Sequence, residues 1–354
     1  MTINVIDGQE VITVTNKELA NLLLKPVAMG IGSPLNYFKR RDNVSTYVED
    51  HLLSTPEEIL QADTGAGWAA SGSAALTAKR LSVGAMKVNF EMTNDNLRGT
   101  AWEDVLGAGV LIDDPNATEE SRKLTNAVMR VVMSGTTRDM ENIAFLNGYD
   151  RGGADTVPTW YADTLKSTDT GLTHPGILQK IEDAVALGNI TEYTITGGAM
   201  TSTIANTTLD ELYANQPVEL SGFDDSQKEY WVTDDIYQKY IEHLAGLGST
   251  ESSYRVLVEG APPVLTRAGI PIRKMGLVQG KLRHASYWNN ANAHRAVLTV
   301  RNNFSAATNV ATDETAQFQF WYTGLKEETF YGKMKIKFGV GYSHDELIVY
   351  GSDD

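Results

Sequence analysis

The chain has 354 residues, 42% hydrophobic and 21% charged, enough to bury a sizeable core in one large domain or two smaller ones. Its 45 acidic residues outnumber 30 lysines and arginines, and the net charge of −15 argues against a broad grip on nucleic acid while keeping free subunits apart by repulsion. There is no cysteine for disulfides, thiolate chemistry or zinc, no apolar run of the ~20 residues a membrane span needs, and no signal-peptide pattern at Met1-Thr2-Ile3-Asn4, so cytoplasmic synthesis without membrane contact is expected.

Residues 2–14 alternate around Asp7-Gly8, a dipeptide suited to a type I′ turn, and predict a small hairpin. Thr15-Asn16-Lys17-Glu18 has capping-box spacing, Leu19, Leu22 and Leu23 share a helical face, and Pro26 stops that helix. From Val27 to Gly72 the chain is irregular and punctuated by Gly and Pro, which reads as an extended arm. Ala74 to Thr93 reads as an extended hairpin. In its second half Met86, Val88, Phe90 and Met92 alternate with Lys87, Asn89, Glu91 and Thr93.

A long amphipathic helix is predicted over residues 116–147. Asn116 and Glu119 have cap spacing at its start, and Leu124, Val128, Val131, Val132, Met140 and Ile143 form the buried stripe, with Gly135 a weak point. A second helix runs from Pro175 to Leu187, with Leu178, Ile181 and Val185 inward and Gly188 at the C′ position. Thr208 to Ala214 is a short third helix. Tyr230-Trp231-Val232 then reads as a strand, and Thr233 caps a helix that buries Ile236, Tyr240, Ile241 and Leu244. Strands follow around Arg255–Val258, Ile270–Lys274, Ala296–Val300, Phe318–Tyr322 and Lys333–Tyr342. In the last, Met334, Ile336, Phe338, Val340 and Tyr342 alternate with Lys333, Lys335, Lys337 and Gly339. The fold class is α+β.

Catalytic patterns are missing. None of the six histidines has the i, i+4 partner of a helical zinc site, and His344-Asp345-Glu346 reads as a solvated turn. There is no nucleophile elbow and no phosphate-binding loop, and Gly107-Ala108-Gly109 only begins like a dinucleotide fingerprint. The acidic pairs Asp113-Asp114, Asp224-Asp225, Asp234-Asp235 and Asp353-Asp354 fit turns and helix starts better than acid–base work or a calcium loop. Tyr230 and Trp231, or Trp321 and Tyr322, fit a core or a subunit contact better than a carbohydrate cleft. No cofactor, metal or catalytic residue is expected.

The order of these segments resembles the major capsid proteins of tailed bacteriophages, the HK-ninety-seven-type shell fold, from Thr64 to Tyr350. The stretch Met140-Glu141-Asn142-Ile143-Ala144-Phe145-Leu146-Asn147-Gly148 is similar to the end of that family's spine helix. Pro175-Gly176-Ile177-Leu178 resembles the opening of its axial domain, Thr208-Leu209-Asp210-Glu211-Leu212 its small helix, and Tyr230 to Leu244 its strand–helix unit. Gly269-Ile270-Pro271-Ile272, Ala296-Val297-Leu298-Thr299 with Asn302-Asn303-Phe304, and Phe338-Gly339-Val340-Gly341-Tyr342 resemble later strands. Residues 99–115 and 188–207 look like additions to the pattern.

The resemblance implies an N-terminal hairpin, helix and arm over 1–63, an extended hairpin loop over 64–93, and a peripheral domain over 94–172 with the spine helix at 116–147. It further implies an axial domain over 173–295, and return strands completing the peripheral sheet over 296–354. The implied function is that of a non-enzymatic capsid subunit. It would self-assemble as pentamers and hexamers into an icosahedral head, in the host cytoplasm, around double-stranded DNA held without sequence-specific contacts. Partners would be a portal, an optional decoration protein and, since only about 60 residues precede the hairpin, a separate scaffolding protein.

The expected inter-subunit contacts are Tyr37, Phe38, Arg40 and Arg41 in the arm, and Lys79, Arg80, Met86, Val88, Phe90 and Met92 in the hairpin. Lys39-Arg40-Arg41 as a nucleic-acid contact is a weaker reading, and Lys79 and Lys87 are expected to pair with acidic neighbours rather than cross-link. Two other readings stand beside the capsid: a cargo-enclosing cellular compartment of the same fold, and a carboxylate-dependent hydrolase on an unrelated fold.

Overall fold

The computed structural model describes residues 2–6, 9–14, 34–53, 76–93, 135–149, 174–246, 265–284, 293–308, 318–322 and 329–353. Side chains are described for most of these. The expected helix at 15–25, the strand at 255–258 and residues 116–134 of the spine helix lie outside them.

Two sheets and a ribbon carry the chain. Strands β1 (Thr2–Ile6) and β2 (Gln9–Val14) form the expected hairpin, and the pairing Ile6↔Gln9 leaves Asp7-Gly8 as its two-residue connection. They join β13 (Phe318–Tyr322), β14 (Thr329–Tyr342), β12 (Phe304–Thr308) and β3 (Lys39–Arg41), with β6 (Gly84–Thr93) also pairing β14, in a seven-stranded sheet. The second sheet has the order β7-β15-β11-β8-β10-β9. It comprises β7 (Thr191–Thr194), β8 (Lys228–Val232), β9 (Thr266–Arg267), β10 (Ile270–Lys274), β11 (Arg295–Val300) and β15 (Ile348–Ser352). Residues 296–354 therefore divide between two sheets rather than completing one, because β11 and β15 pair beside β8.

The period-two expectation for β14 holds: Met334, Ile336, Phe338, Val340 and Tyr342 are all buried on one face. They pack against helix α1 (residues 135–146) through Met140, Ile143 and Phe145, and against α2 (Ile177–Ala186) through Ile177, Leu178 and Ile181. The six-stranded sheet closes this core with Trp231, Val297 and Tyr350. Its opposite face puts Tyr230, Val232, Leu298 and Val349 against α3 (Ser202–Ala214) and α5 (Asp234–Gly246), which follows α4 (Val218–Ser221). Strands β8, β11 and β15 are thus covered on both faces, and Tyr230–Val232, Ala296–Leu298 and Ile348–Tyr350 within them are apolar without alternation.

Several local expectations meet the structure directly. Helix α2 ends with Gly188 at φ +76, its amide reaching Val185 O at 2.8 Å and the Asn189 amide reaching Ala184 O at 2.9 Å, the paired bonds of a Schellman motif. Helix α3 begins earlier than expected, at Ser202, because Thr201 accepts a bond from the Ile204 amide at 3.2 Å and caps it. Thr233 precedes α5, but its hydroxyl donates to Asp235 Oδ1 at 2.8 Å, while Gln279 of α6 (Val278–Arg283) accepts from the Asp235 amide at 2.7 Å. Ile236, Tyr240 and Leu244 are buried as expected, whereas Ile241 is 38% exposed, since it lies off the stripe facing the sheet.

The hairpin expected over Ala74–Thr93 requires correction. Strands β5 (Leu76–Ser82) and β6 are separated only by Val83 and do not pair with each other. Instead β5 pairs with β4 (Tyr47–Leu53), from Tyr47↔Ser82 to Leu53↔Leu76, as an antiparallel ribbon, and β6 pairs over ten residues with β14. The ribbon is therefore built partly from sequence read as arm. Its root rests on the outer face of the seven-stranded sheet, where Leu81, Val83 and Val44 pack on Ala307.

Candidate functional site

The arm residues are largely used inside the subunit. Phe38 is 4% exposed, with its ring 5.4 Å from Trp231, 5.6 Å from Phe304 and 5.7 Å from Phe145. These tilted and edge-on contacts knit the segment into the main core. Phe38 thus leaves nothing for a neighbour to touch. Tyr37 is half-buried, edge-on to Trp231 at 6.2 Å, with the Arg273 guanidinium 3.7 Å over its ring. Arg41 pairs with Asp50 of β4, and exposed Arg40 lies 3.4 Å from Asp42. The parallel pairing of β3 with β12 holds the whole basic run at the sheet edge.

The remaining candidates divide by element. Lys79 pairs with Asp345 and sits 3.6 Å over the Tyr342 ring, so its acidic partner is remote in sequence. Arg80 is exposed, its guanidinium 3.5 Å over the ring of Tyr47, which is itself 46% exposed. Together these two make an outward-facing patch on the ribbon. Met86, Val88 and Phe90 are half-buried, one side of each packed against the subunit's own core. Met92 pairs in register with Phe330.

Sequence reading missed the buried polar clusters. Arg295 lies wholly buried, with Nε donating to Tyr149 Oη at 2.8 Å, Nη1 donating to His294 O at 2.7 Å, and an ion pair to Asp353. Glu182 Oε1 accepts from Tyr350 Oη at 2.6 Å and from Tyr149 Oη at 3.2 Å. This network fastens the turn after α1 to α2, β11 and β15. Beside it His294 pairs with Asp235, and its Nε2 is 2.9 Å from Gly198 O. Asn303 fixes the turn after β14: its Oδ1 accepts from the amides of Ser343 at 3.1 Å and His344 at 2.9 Å. That turn contains the expected His344-Asp345-Glu346 run.

A cavity of about 290 Å³ lies between β5, α2 and the turn after β14, lined by Lys79, Arg80, Lys180, Asp50, Asp183 and Asp345. Its carboxylates are engaged: Asp50 by Arg41 and Ser343, Asp183 by Gln179, Asp345 by Lys79. Lys180 donates to Val340 O at 2.5 Å, and burial together with the Lys79 charge lowers its pKa to about 8. Among the described residues no cluster of three His, Asp or Glu side chains could hold a metal ion, and no helix is long and apolar enough to cross a membrane.

No family model matches the sequence, and no curated protein matches it. Solved structures do. A chain of the satellite phage P4 procapsid, a particle including the size determination (Sid) protein, aligns with a TM-score of 0.56 at 8% identity, covering 96% of this chain and 90% of that one. A chain of Mycobacterium phage Che8 aligns with a TM-score of 0.45 at 8% identity, covering 100% and 96%. A chain of a virus-like particle from Pyrococcus furiosus aligns with a TM-score of 0.46 at 9% identity, covering 95% and 98%. With α1 and α2 packed beneath a long-stranded sheet, a second sheet carrying its own helices, and a ribbon standing on the first, the chain has the major capsid protein fold of tailed phages.

Proposed function

We propose that this chain is a structural shell subunit, the major capsid protein of a tailed phage. Copies associate as pentamers and hexamers into an icosahedral head around double-stranded DNA. The observation that carries the reading is a capsid-type architecture aligned over 96% of the chain, whose buried polar clusters join its elements to one another. Rings of five and six need repeated heterologous contacts, in which one surface of a copy meets a different surface of the next. The ribbon suits that need, because two strands alone are marginal in water and gain by lying on something else. Its exposed Tyr47–Arg80 stack, with Arg40 at the sheet edge, replaces Phe38 among the contact candidates. A scaffolding protein during assembly, a portal, an optional decoration protein and assembly in the host cytoplasm go with this reading.

Negative-stain electron microscopy of the purified chain, alone and co-expressed with its neighbouring genes, tests it. Closed shells, or sheets and tubes of five- and six-fold rings, are expected. A uniform small particle under both conditions overturns the proposal.

A further inference from the structure

The cavity between β5, α2, β12 and the turn after β14 has hydrogen-bond donors to spare on its floor. Lys180 reaches it from α2 and donates to Val340 O at 2.5 Å, which leaves two of its three N–H groups without an acceptor among the described residues. Its ammonium stands over Gly341, where a Cβ would lie 3.3 Å from Nζ. Antiparallel pairing sets Ser305 directly opposite Gly341, and directly opposed positions on one face are about 5 Å apart. Ser305 is 1% exposed, and its hydroxyl has no hydrogen-bond partner among the described residues. Buried donors left in this way carry a desolvation cost that a bound acceptor relieves.

The floor is also positive. Lys180 makes no ion pair among the described residues, and burial together with the charge of a second ammonium, Lys79, lowers its pKa to about 8. The carboxylates lining the cavity are turned to other partners. Asp50 accepts from Arg41 and from Ser343 Oγ at 2.9 Å, and Asp345 pairs with Lys79. Asp183 is exposed at the mouth, where Gln179 donates to it at 2.7 Å. Arg80 lines the same cavity, but its guanidinium is stacked on Tyr47.

We propose that this cavity binds a small inorganic oxyanion of the phosphate class, held by the Lys180 ammonium and the Ser305 hydroxyl with Lys79 beside them. The inference goes beyond the shell reading and does not depend on it. An ionised oxyanion presents acceptors to the unmet N–H and O–H groups, and charge-assisted bonds of this kind are the strong ones. It also replaces the repulsion between two ammoniums by two attractions. A volume of about 290 Å³ is small for an organic ligand, whose sites run from about 300 to 1,000 Å³, so the occupant is the free ion rather than a nucleotide. Bound there, it ties α2 to β12 and to β5 at the root of the ribbon.

Calorimetry on the full chain tests it, with sulfate as the probe because sulfate does not titrate near neutrality. At pH 8 Lys180 is half-protonated, and an anion beside it restores the missing charge. Titrations in two buffers of different ionisation heat should show one saturable site that takes up about 0.5 proton per sulfate. His174, held below 6.5 by burial and by the Lys180 charge, is neutral at that pH and supplies none of the uptake. Lys180→Met should lose both the binding and the uptake. Ser305→Ala removes a hydroxyl without a protein partner, so it should melt like the parent yet bind sulfate about tenfold more weakly. Inorganic phosphate should compete with sulfate, and thymidine monophosphate should not. No saturable heat, binding without proton uptake, or unchanged binding in both variants overturns the site. Stabilisation that grows with sulfate without saturating, equally in Lys180→Met, is the general effect of an excluded salt and overturns it too. Competition by the nucleotide as strong as that by phosphate overturns the free ion as the occupant.

Discussion

His294 is fully buried, and both of its ring nitrogens face acceptors: Nδ1 pairs with the Asp235 carboxylate and Nε2 meets Gly198 O at 2.9 Å. Acceptors on both sides favour the ring that carries both protons, the imidazolium. Burial pulls its pKa down, but the bonds to Asp235 and Gly198 outweigh burial and hold it above the ordinary 6.5. A raised folded pKa contributes stability that is complete below 6.5 and is lost as pH rises through the folded value. Asp235, its carboxyl held below the ordinary 3.8 despite burial, has the opposite dependence, and its share is lost only as pH falls through that lower value. The melting temperature of the free subunit should therefore decline through this pair as pH rises above the ordinary 6.5. His294→Gln should remove that slope and cost about 3 kcal/mol at pH 6, because Asp235 is left without its cation. Thermal melts from pH 5 to 9 decide it, and an unchanged slope in the variant refutes the imidazolium. Lys180 works against folding. Between its folded value of about 8 and the ordinary 10.5 the unfolded chain holds a proton the folded chain lacks, so stability rises with pH across that window. Lys180→Met should stabilise the subunit at pH 7 by about 2 kcal/mol, once the lost bond to Val340 O is set against the relieved desolvation. A destabilised variant would mean that the lysine's carbonyl bond outweighs its burial.

At the scale of elements, the joint between ribbon and sheet depends on a missing side chain. A Cβ added to Gly339 would lie 2.1 Å from Ser82 O and 3.0 Å from Val83 Cα, so backbone, not a pliable side chain, would have to move. Gly339→Val should lift the ribbon's root and cost about 1–3 kcal/mol. Hydrogen exchange should show the amides of Leu81 to Val83 losing protection before those of β11 and β15, and uniform loss across the chain would refute a local joint. The alternation that places Gly339 on the outer face was legible in the sequence, since residues 333–342 repeat every second position. The partner was not. Period two says which face a residue takes but not which strand lies beside it, so β5 was read with β6, its neighbour in sequence, while its ladder runs to β4. Phe38 failed for a related reason. An aromatic next to Lys39-Arg40-Arg41 looks like a surface anchor until Phe145, Trp231 and Phe304 are brought around it from three distant elements. Helix ends fared better because their signals are local: Gly188 and the Asp234-Asp235 pair mark α2 and α5 within a turn of where they stop and start. Buried ion pairs such as Arg295–Asp353 leave no local mark.

For the whole molecule, charge acts at two distances with opposite sign. A net −15 on every copy repels at long range, whereas opposite charges brought together at a subunit contact attract only at close range. Salt separates the two, because the screening length falls from about 30 Å at 0.01 M to about 10 Å at 0.1 M and about 3 Å at 1 M. Raising ionic strength through the first step weakens repulsion between bodies tens of ångströms apart while leaving ion pairs at contact distance largely intact. The second step reaches the pairs themselves. Assembly measured by light scattering should accordingly pass through a maximum at intermediate salt, near 0.1–0.3 M. A steady rise to 1 M would mean that apolar contacts alone close the shell. A steady fall from the lowest salt would mean that contact pairs outweigh net repulsion at every distance.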